Sequence, residues 1–213
     1  MGFSFKNGYY SYMLNEMGIL KFLAIIICFF IAAAGNKHAL DKKDSRLLVL
    51  ALMFTVFADF FLVIAFRYHI GLILFCAVQT LYIRRFGTKK ILRFLPLALI
   101  IPIVFYATQK DLLVTLALIY TQLFLLSYTL MICALRKGRY PTPNNLLIFL
   151  GMTLFVMCDI SVAIWNLGRM GIITNEVVFN FASAAIWLFY TPSQVCLAIS
   201  ALDFSKGGKN GGN

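Results

Sequence analysis

Two carboxylic acids stand where a chain rarely puts them. Asp59 and Asp159 each lie inside a long apolar run, whereas the other six acids (Glu16, Asp41, Asp44, Asp111, Glu176 and Asp203) lie in loops, in the tail or near helix ends. A charge at the centre of a membrane helix costs roughly 2.5–3.5 kcal/mol on insertion scales, so such residues are rare and face a bundle interior. Each Asp alone could serve as packing glue between helices. A pair at matching depth points further. If the two carboxyls share one cavity they cannot both readily ionise, so one keeps its proton. A proton donor beside a carboxylate is what general acid–base chemistry requires. Proton relay in a carrier uses the same parts.

The surrounding polar residues suggest what would line such a site. Gln79 and Tyr82 fall on the third apolar run, and Tyr190 and Gln194, four residues apart, on the last. Asn166 follows Asp159 by two turns, and Asn180 lies near the start of the last run. No Lys or Arg lies close to either acid along its own helix: Arg67 and Arg169 are the nearest that follow. The two histidines, His38 and His69, sit near helix ends, and the five cysteines lie in apolar runs without C-x-x-C spacing. Zinc sites and a disulfide framework are therefore not expected. No metal or other cofactor is called for, and no nucleotide-binding or nucleophile-elbow motif appears.

The elements that must position these residues follow from composition. The chain has 213 residues, 62% apolar and 13% charged, with a mean hydropathy of +0.87. A water-soluble surface cannot be built from so little charge, and disorder needs far lower hydrophobicity. The expectation is an all-α membrane protein, a bundle of seven transmembrane helices near 17–34, 47–66, 70–84, 91–107, 112–135, 145–167 and 175–202. Residues 1–16 form an N-terminal segment, 17–203 a single bundle and 204–213 a flexible tail. Lys21 and Lys6 precede or open the first run without making it a signal peptide, since cleavage after Ala34 would leave Lys37, Lys42, Lys43 and Arg46 outside.

The net charge of +11 would suit nucleic acid in a soluble protein. Here the basic residues gather in alternate short loops: Lys37–Arg46, Arg84–Arg93 and Arg136–Arg139. They read as topology signals touching lipid phosphates, not as a nucleic-acid surface. The positive-inside rule places those loops in the cytoplasm, the N-terminus outside and the C-terminus inside. On that path Asp59 lies roughly 18 Å and Asp159 roughly 21 Å from the cytoplasmic starts of their helices. The segments Leu52–Asp59 and Met152–Asp159 also align at an offset of 100, either as a parallel internal repeat or by chance between apolar runs. Cysteine-poor loops and the lack of ectodomains fit a bacterial inner membrane.

These residues resemble the YhhN-like lysoplasmalogenase family of integral membrane proteins. The family pattern L-x-x-x-x-x-G-D-x-x-L finds its counterpart in Leu52 to Leu62 around Ala58-Asp59. Its Gly-x-x-x-Phe-x-x-x-His-x-x-Tyr stretch matches Gly71, Phe75, Gln79 and Tyr82. Its later Ser-Asp and final Tyr-x-x-x-Gln match Cys158-Asp159, Tyr190 and Gln194, and Lys21-Phe22-Leu23 looks like its Lys-Pro-Leu. Three positions depart: Ala58 for Gly, Cys158 for Ser and Gln79 for His. Glutamine does not titrate near neutrality as histidine does. The family usually has eight helices, which implies that the first is missing here. The resemblance implies a membrane-embedded hydrolase. Its substrate would be a lysoplasmalogen, cleaved at the vinyl ether to a fatty aldehyde and a glycerophospho-base. Asp59 and Asp159 would then be catalytic, with Gln79, Tyr82, Asn166, Asn180, Tyr190 and Gln194 binding substrate. The alternatives are a small proton-coupled transporter and a seven-helix sensor or assembly protein.

Overall fold

The computed structural model describes residues 4–87 and 100–205, with side chains from Gly18 onward except that of residue 101. Among them the chain is all helical. In order these are α1 (Ser4–Gly35), α2 (Lys42–Asp59), α3 (Tyr68–Phe86), α4 (Ile100–Gln109), α5 (Leu112–Arg136), α6 (Asn144–Arg169) and α7 (Glu176–Ile199). Five stretches are long and apolar enough to cross a bilayer: Gly18–His38, Lys42–Ile64, Leu112–Arg136, Asn144–Arg169 and Glu176–Ile199. The third and fourth expected spans are not among them. Helix α3 opens on Tyr68 and His69, carries Gln79 and Tyr82 in its second half and ends on a turn with Arg84 and Arg85, while the expected run 91–107 lies partly outside the described residues. The first helix reaches back to Ser4, beyond the apolar run.

Helix starts are set by short polar side chains. Asp41, Asp111 and Asn175 accept from the backbone N–H groups of Lys43, Val114 and Val177, which otherwise have no partner in the first turn. The helices then close a ring. α1 packs on α2 and α7, α2 on α3, α3 on α5, α5 on α6 and α6 on α7, with α4 against α5. The ring buries Leu48, Leu52, Val78, Met131, Ile148, Met152, Phe155 and Leu197. Its outward face is apolar as well: Ile27, Phe30, Leu125, Phe181 and Leu188 are all exposed. A bundle greasy on both faces is a membrane protein, since water would reject the outer face.

One end of the ring, where 36–46, Arg84–Arg85 and Arg136–Arg139 lie, is locked by an ionic knot. Arg85 has no exposed surface. Its Nη2 lies 2.8 Å from Asp44 Oδ2 and donates to Ser200 Oγ at 3.0 Å. Tyr140 donates to the other Asp44 oxygen at 2.7 Å. Burial pushes the Tyr140 phenol above its ordinary range, so it stays a donor. Asn144 donates to the Ser200 and Leu202 carbonyls, and Leu40 N–H to Ala201 O. The knot joins the ends of α2, α3, α6 and α7. It corrects the reading of Arg85 as a loop charge on lipid phosphates and of Asp44 as a loop acid.

Removing one member of a buried ion pair strands the other charge, which costs about 3–5 kcal/mol. Arg85→Met is expected to lower thermal stability in detergent sharply. The double variant Arg85→Met with Asp44→Leu should recover part of the loss, because it strands no charge. Unfolding followed by circular dichroism on the four-protein cycle checks this.

Candidate functional site

Asp59 ends α2, and the chain passes directly into a π-helical turn, Phe60–Ile64. Such turns interrupt the regular ladder and recur at functional sites. This one is held between neighbours. Phe22 of α1 packs on Phe60 with ring centroids 6.1 Å apart. On the other side, Gly71 lets α3 come close: a Cβ there would stand 2.7 Å from Leu62 Cδ2 and 3.1 Å from the Ala58 carbonyl oxygen. The Gly-x-x-x-Phe spacing thus has a packing reason, with Gly71 admitting the turn and Phe75 reaching the core.

The Asp59 side chain is 0% exposed. Tyr190 of α7 donates its hydroxyl to Asp59 Oδ2. Lys21 of α1 brings its ammonium to 3.5 Å from Oδ1 and lies 4.0 Å over the centre of the Tyr190 ring. The acid's own helix offers no nearby counter-ion; the neighbouring helix α1 supplies it. A lysine inside the first apolar run was the available signal, by the same rule that marks an intramembrane Asp.

Asp159 lies in the second half of α6 and is partly exposed. Tyr120 of α5 donates to its Oδ2 at 2.5 Å. Tyr120 is the second residue that sequence reasoning missed, and among ten tyrosines nothing in its local pattern marks it. Its ring stacks on Phe124 at 5.9 Å and meets Phe75 at 5.8 Å, and Phe155 meets Phe124 at 5.2 Å. These rings, with the Tyr128–Thr153 hydroxyl contact at 3.1 Å, make up much of the seam between α5 and α6. The two acids lie within electrostatic range of one another, and the Lys21 ammonium acts on both. Residues a hundred positions apart therefore form one polar cluster from α1, α2, α5, α6 and α7.

The remaining predicted residues divide. Gln79 is buried and accepts from Ser127 Oγ at 2.7 Å through Oε1, while its Nε2 has no partner; the amide also interacts with the Tyr120 hydroxyl. Tyr82 is buried, stacks on Phe86 at 5.9 Å, and its hydroxyl has no hydrogen-bond partner. Both amide atoms of buried Gln194 are likewise without one. Helix α7 continues through Pro192 between Tyr190 and Gln194. Asn166 and Asn180 are not brought to the cluster. Both are exposed, and Asn166 donates to the Val162 carbonyl of its own helix at 2.9 Å. Among the described residues no three His, Cys, Asp or Glu side chains converge as metal ligands would. A shallow cleft lined by Asp44, Arg139, Tyr140 and Ser200 lies at the basic end, at the ionic knot and not at the acids.

A lipid-exposed helical ring with an ionisable cluster inside is an integral membrane protein built around a buried polar centre. The chain matches the model of the YhhN family over residues 18–201 and belongs to that family. No curated protein and no solved structure matches it.

Gly71 is expected to tolerate no side chain at the turn that carries Asp59. Overpacking costs typically about 1–3 kcal/mol, so Gly71→Val should lower the melting temperature in detergent, and Gly71→Ala should do so less. Equal stability of Gly71→Val and wild type would show that the helices separate freely there.

Proposed function

We propose that this protein is a membrane-embedded hydrolase that cleaves the vinyl ether of a lysoplasmalogen, giving a fatty aldehyde and a glycerophospho-base. Membership of the YhhN family supports a lysoplasmalogenase-type activity. The observation that carries the specific reading is the cluster itself. Two carboxyls, each with its own phenol donor, meet in one cluster within the helical bundle.

Vinyl-ether hydrolysis needs those groups. A proton must go to carbon, leaving an oxocarbenium ion. Water then adds, and the resulting hemiacetal collapses. Glycoside hydrolysis divides related work between two carboxyls, one an acid and one stabilising the cation or activating water. In the Asp59/Asp159 pair the protonated member would donate, and the other would face the cation. The Gln79 amide reaches Ser127 and the Tyr120 hydroxyl, while Tyr82 and Gln194 carry buried polar atoms without hydrogen-bond partners. Such atoms are costly unless a ligand satisfies them, which suits hydrogen bonding to substrate. The single chain of a lysolipid would lie along the apolar exterior of the bundle. The positive-inside rule puts the basic end in the cytoplasm and the N-terminus outside.

Detergent-purified protein given a lysoplasmalogen should release fatty aldehyde. Asp59→Asn and Asp159→Asn should each lose about 10²-fold or more, the usual worth of a positioned acid or base. Full activity in either variant overturns the pair. Absence of aldehyde from folded wild type, together with solute-dependent proton flux in liposomes, would replace this reading with that of a carrier.

A further inference from the structure

The cluster contains two acids and one cation, and the contacts are unequal. Asp59 Oδ1 faces the Lys21 ammonium at 3.5 Å and has no hydrogen-bond partner. An ammonium is a donor without acceptor capacity, so a proton on that oxygen would meet nothing that accepts it. The other oxygen takes the Tyr190 hydroxyl, and the same Tyr190 ring lies under the ammonium. Asp59 is thus surrounded by groups that suit an acceptor-only carboxylate. Asp159 is partly exposed and takes one phenol, from Tyr120 at 2.5 Å. Its immediate neighbour Cys158 is buried against the Ile186 carbonyl. One ammonium offsets one carboxylate. A second carboxylate would leave the cluster with a net negative charge in a medium that solvates it poorly.

From this geometry we infer that Lys21 is a positioning residue that holds Asp59 as the carboxylate, and that Asp159 carries the proton delivered to substrate. This rests on the hydrolase reading above and assigns its two roles. In the reaction the Asp159 O–H bond breaks, and the π pair of the vinyl ether forms a C–H bond at the carbon β to the ether oxygen. The oxocarbenium ion at the α carbon faces the Asp59 charge. Water adds there, and the proton it loses returns to Asp159. The hemiacetal C–O bond to glycerol then breaks as its hydroxyl proton moves to the leaving oxygen. The sum is vinyl ether plus water giving aldehyde plus alcohol, with nothing oxidised or reduced.

Infrared difference spectra of the full chain in detergent, at neutral pH, read the charge assignment without any activity. The carbonyl stretch of a protonated carboxyl is expected in wild type, absent in Asp159→Asn, shifted in Tyr120→Phe, which removes the phenol on Asp159, and left in place in Tyr190→Phe, which removes the one on Asp59. Lys21→Met should add a second such band, absent in Lys21→Met with Asp59→Asn and not produced by Lys21→Arg. A wild-type band that shifts in Tyr190→Phe and not in Tyr120→Phe, or no wild-type band at all, overturns the assignment, even if Lys21→Met fails to fold. So does a folded Lys21→Met without the second band.

The kinetic arm tests the positioning role. Lys21→Met should lower kcat for aldehyde release at least about tenfold with little change in KM, the signature of an interaction made in the transition state. Lys21→Arg should restore most of it, and Lys21→Met with Asp59→Asn should be no slower than Asp59→Asn alone. Multiplying losses, or a loss confined to KM, overturn the role. The two readings separate cleanly. The spectral pattern without aldehyde from wild type removes the hydrolase and keeps the charge assignment; aldehyde with the reversed pattern does the opposite.

Discussion

A carboxyl group with no exposed surface must be answered from within the protein, and in a bilayer no water stands by to do it. Asp59 is such a group, and the answer comes from two helices that are not its own. Lys21 arrives from α1 and Tyr190 from α7. Those are the first and last helices of the ring, and they pack on each other. The contact that closes the ring and the contacts that satisfy the acid are therefore made in one place. An isolated α2 could not bury Asp59; the closed bundle can, because closure delivers the partners.

The same rule operates at the basic end with different chemistry. Arg85 and Asp44 are also buried, yet their partners are Tyr140 and Ser200, and the pair ties together helix ends and not helix middles. No sheet or long loop orders the bundle among the described residues, so its polar fixings sit at two levels. One is the knot at the basic end, and the other is the acid cluster toward the opposite end. Between them Gln79 links α3 to Ser127 of α5. That bond gives the glutamine a use that needs no titration. It joins two packed helices and sets an amide beside the tyrosine that donates to Asp159.

Much of this was legible in the sequence because membrane insertion penalises polar residues one at a time. Asp59, Asp159, Gln79, Tyr190 and Gln194 could be singled out from their surroundings, and the structure buries most of them. Lys21 met the same test but stood near the start of a run, where lysines usually reach the interface. Arg85 was hidden by its neighbour: Arg84 and Arg85 read identically as loop charges, and only the helix phase turns one inward. Asn166 and Asn180 are the reverse case, polar residues that the fold leaves exposed. A polar residue near a helix end is cheap to expose, so its presence there says little about an interior site. Tyr120 could not have been found at all, since a tyrosine in an apolar run is ordinary until its hydroxyl is seen to reach an acid.

The paired segments around Asp59 and Asp159 illustrate how similar sequences can be put to unequal use. Both acids follow a run of apolar residues on a helix of the same ring, and both accept a tyrosine hydroxyl. Yet Asp59 ends its regular helix, enters a π-helical turn and is fully buried beside a cation. Asp159 stays within a continuous helix, keeps some exposure and has a phenol alone. The difference is made outside the two segments, by α1 on one side and α5 on the other. Identity of the acid sets what chemistry is available, and the helix that packs against it sets the contacts under which that acid is held.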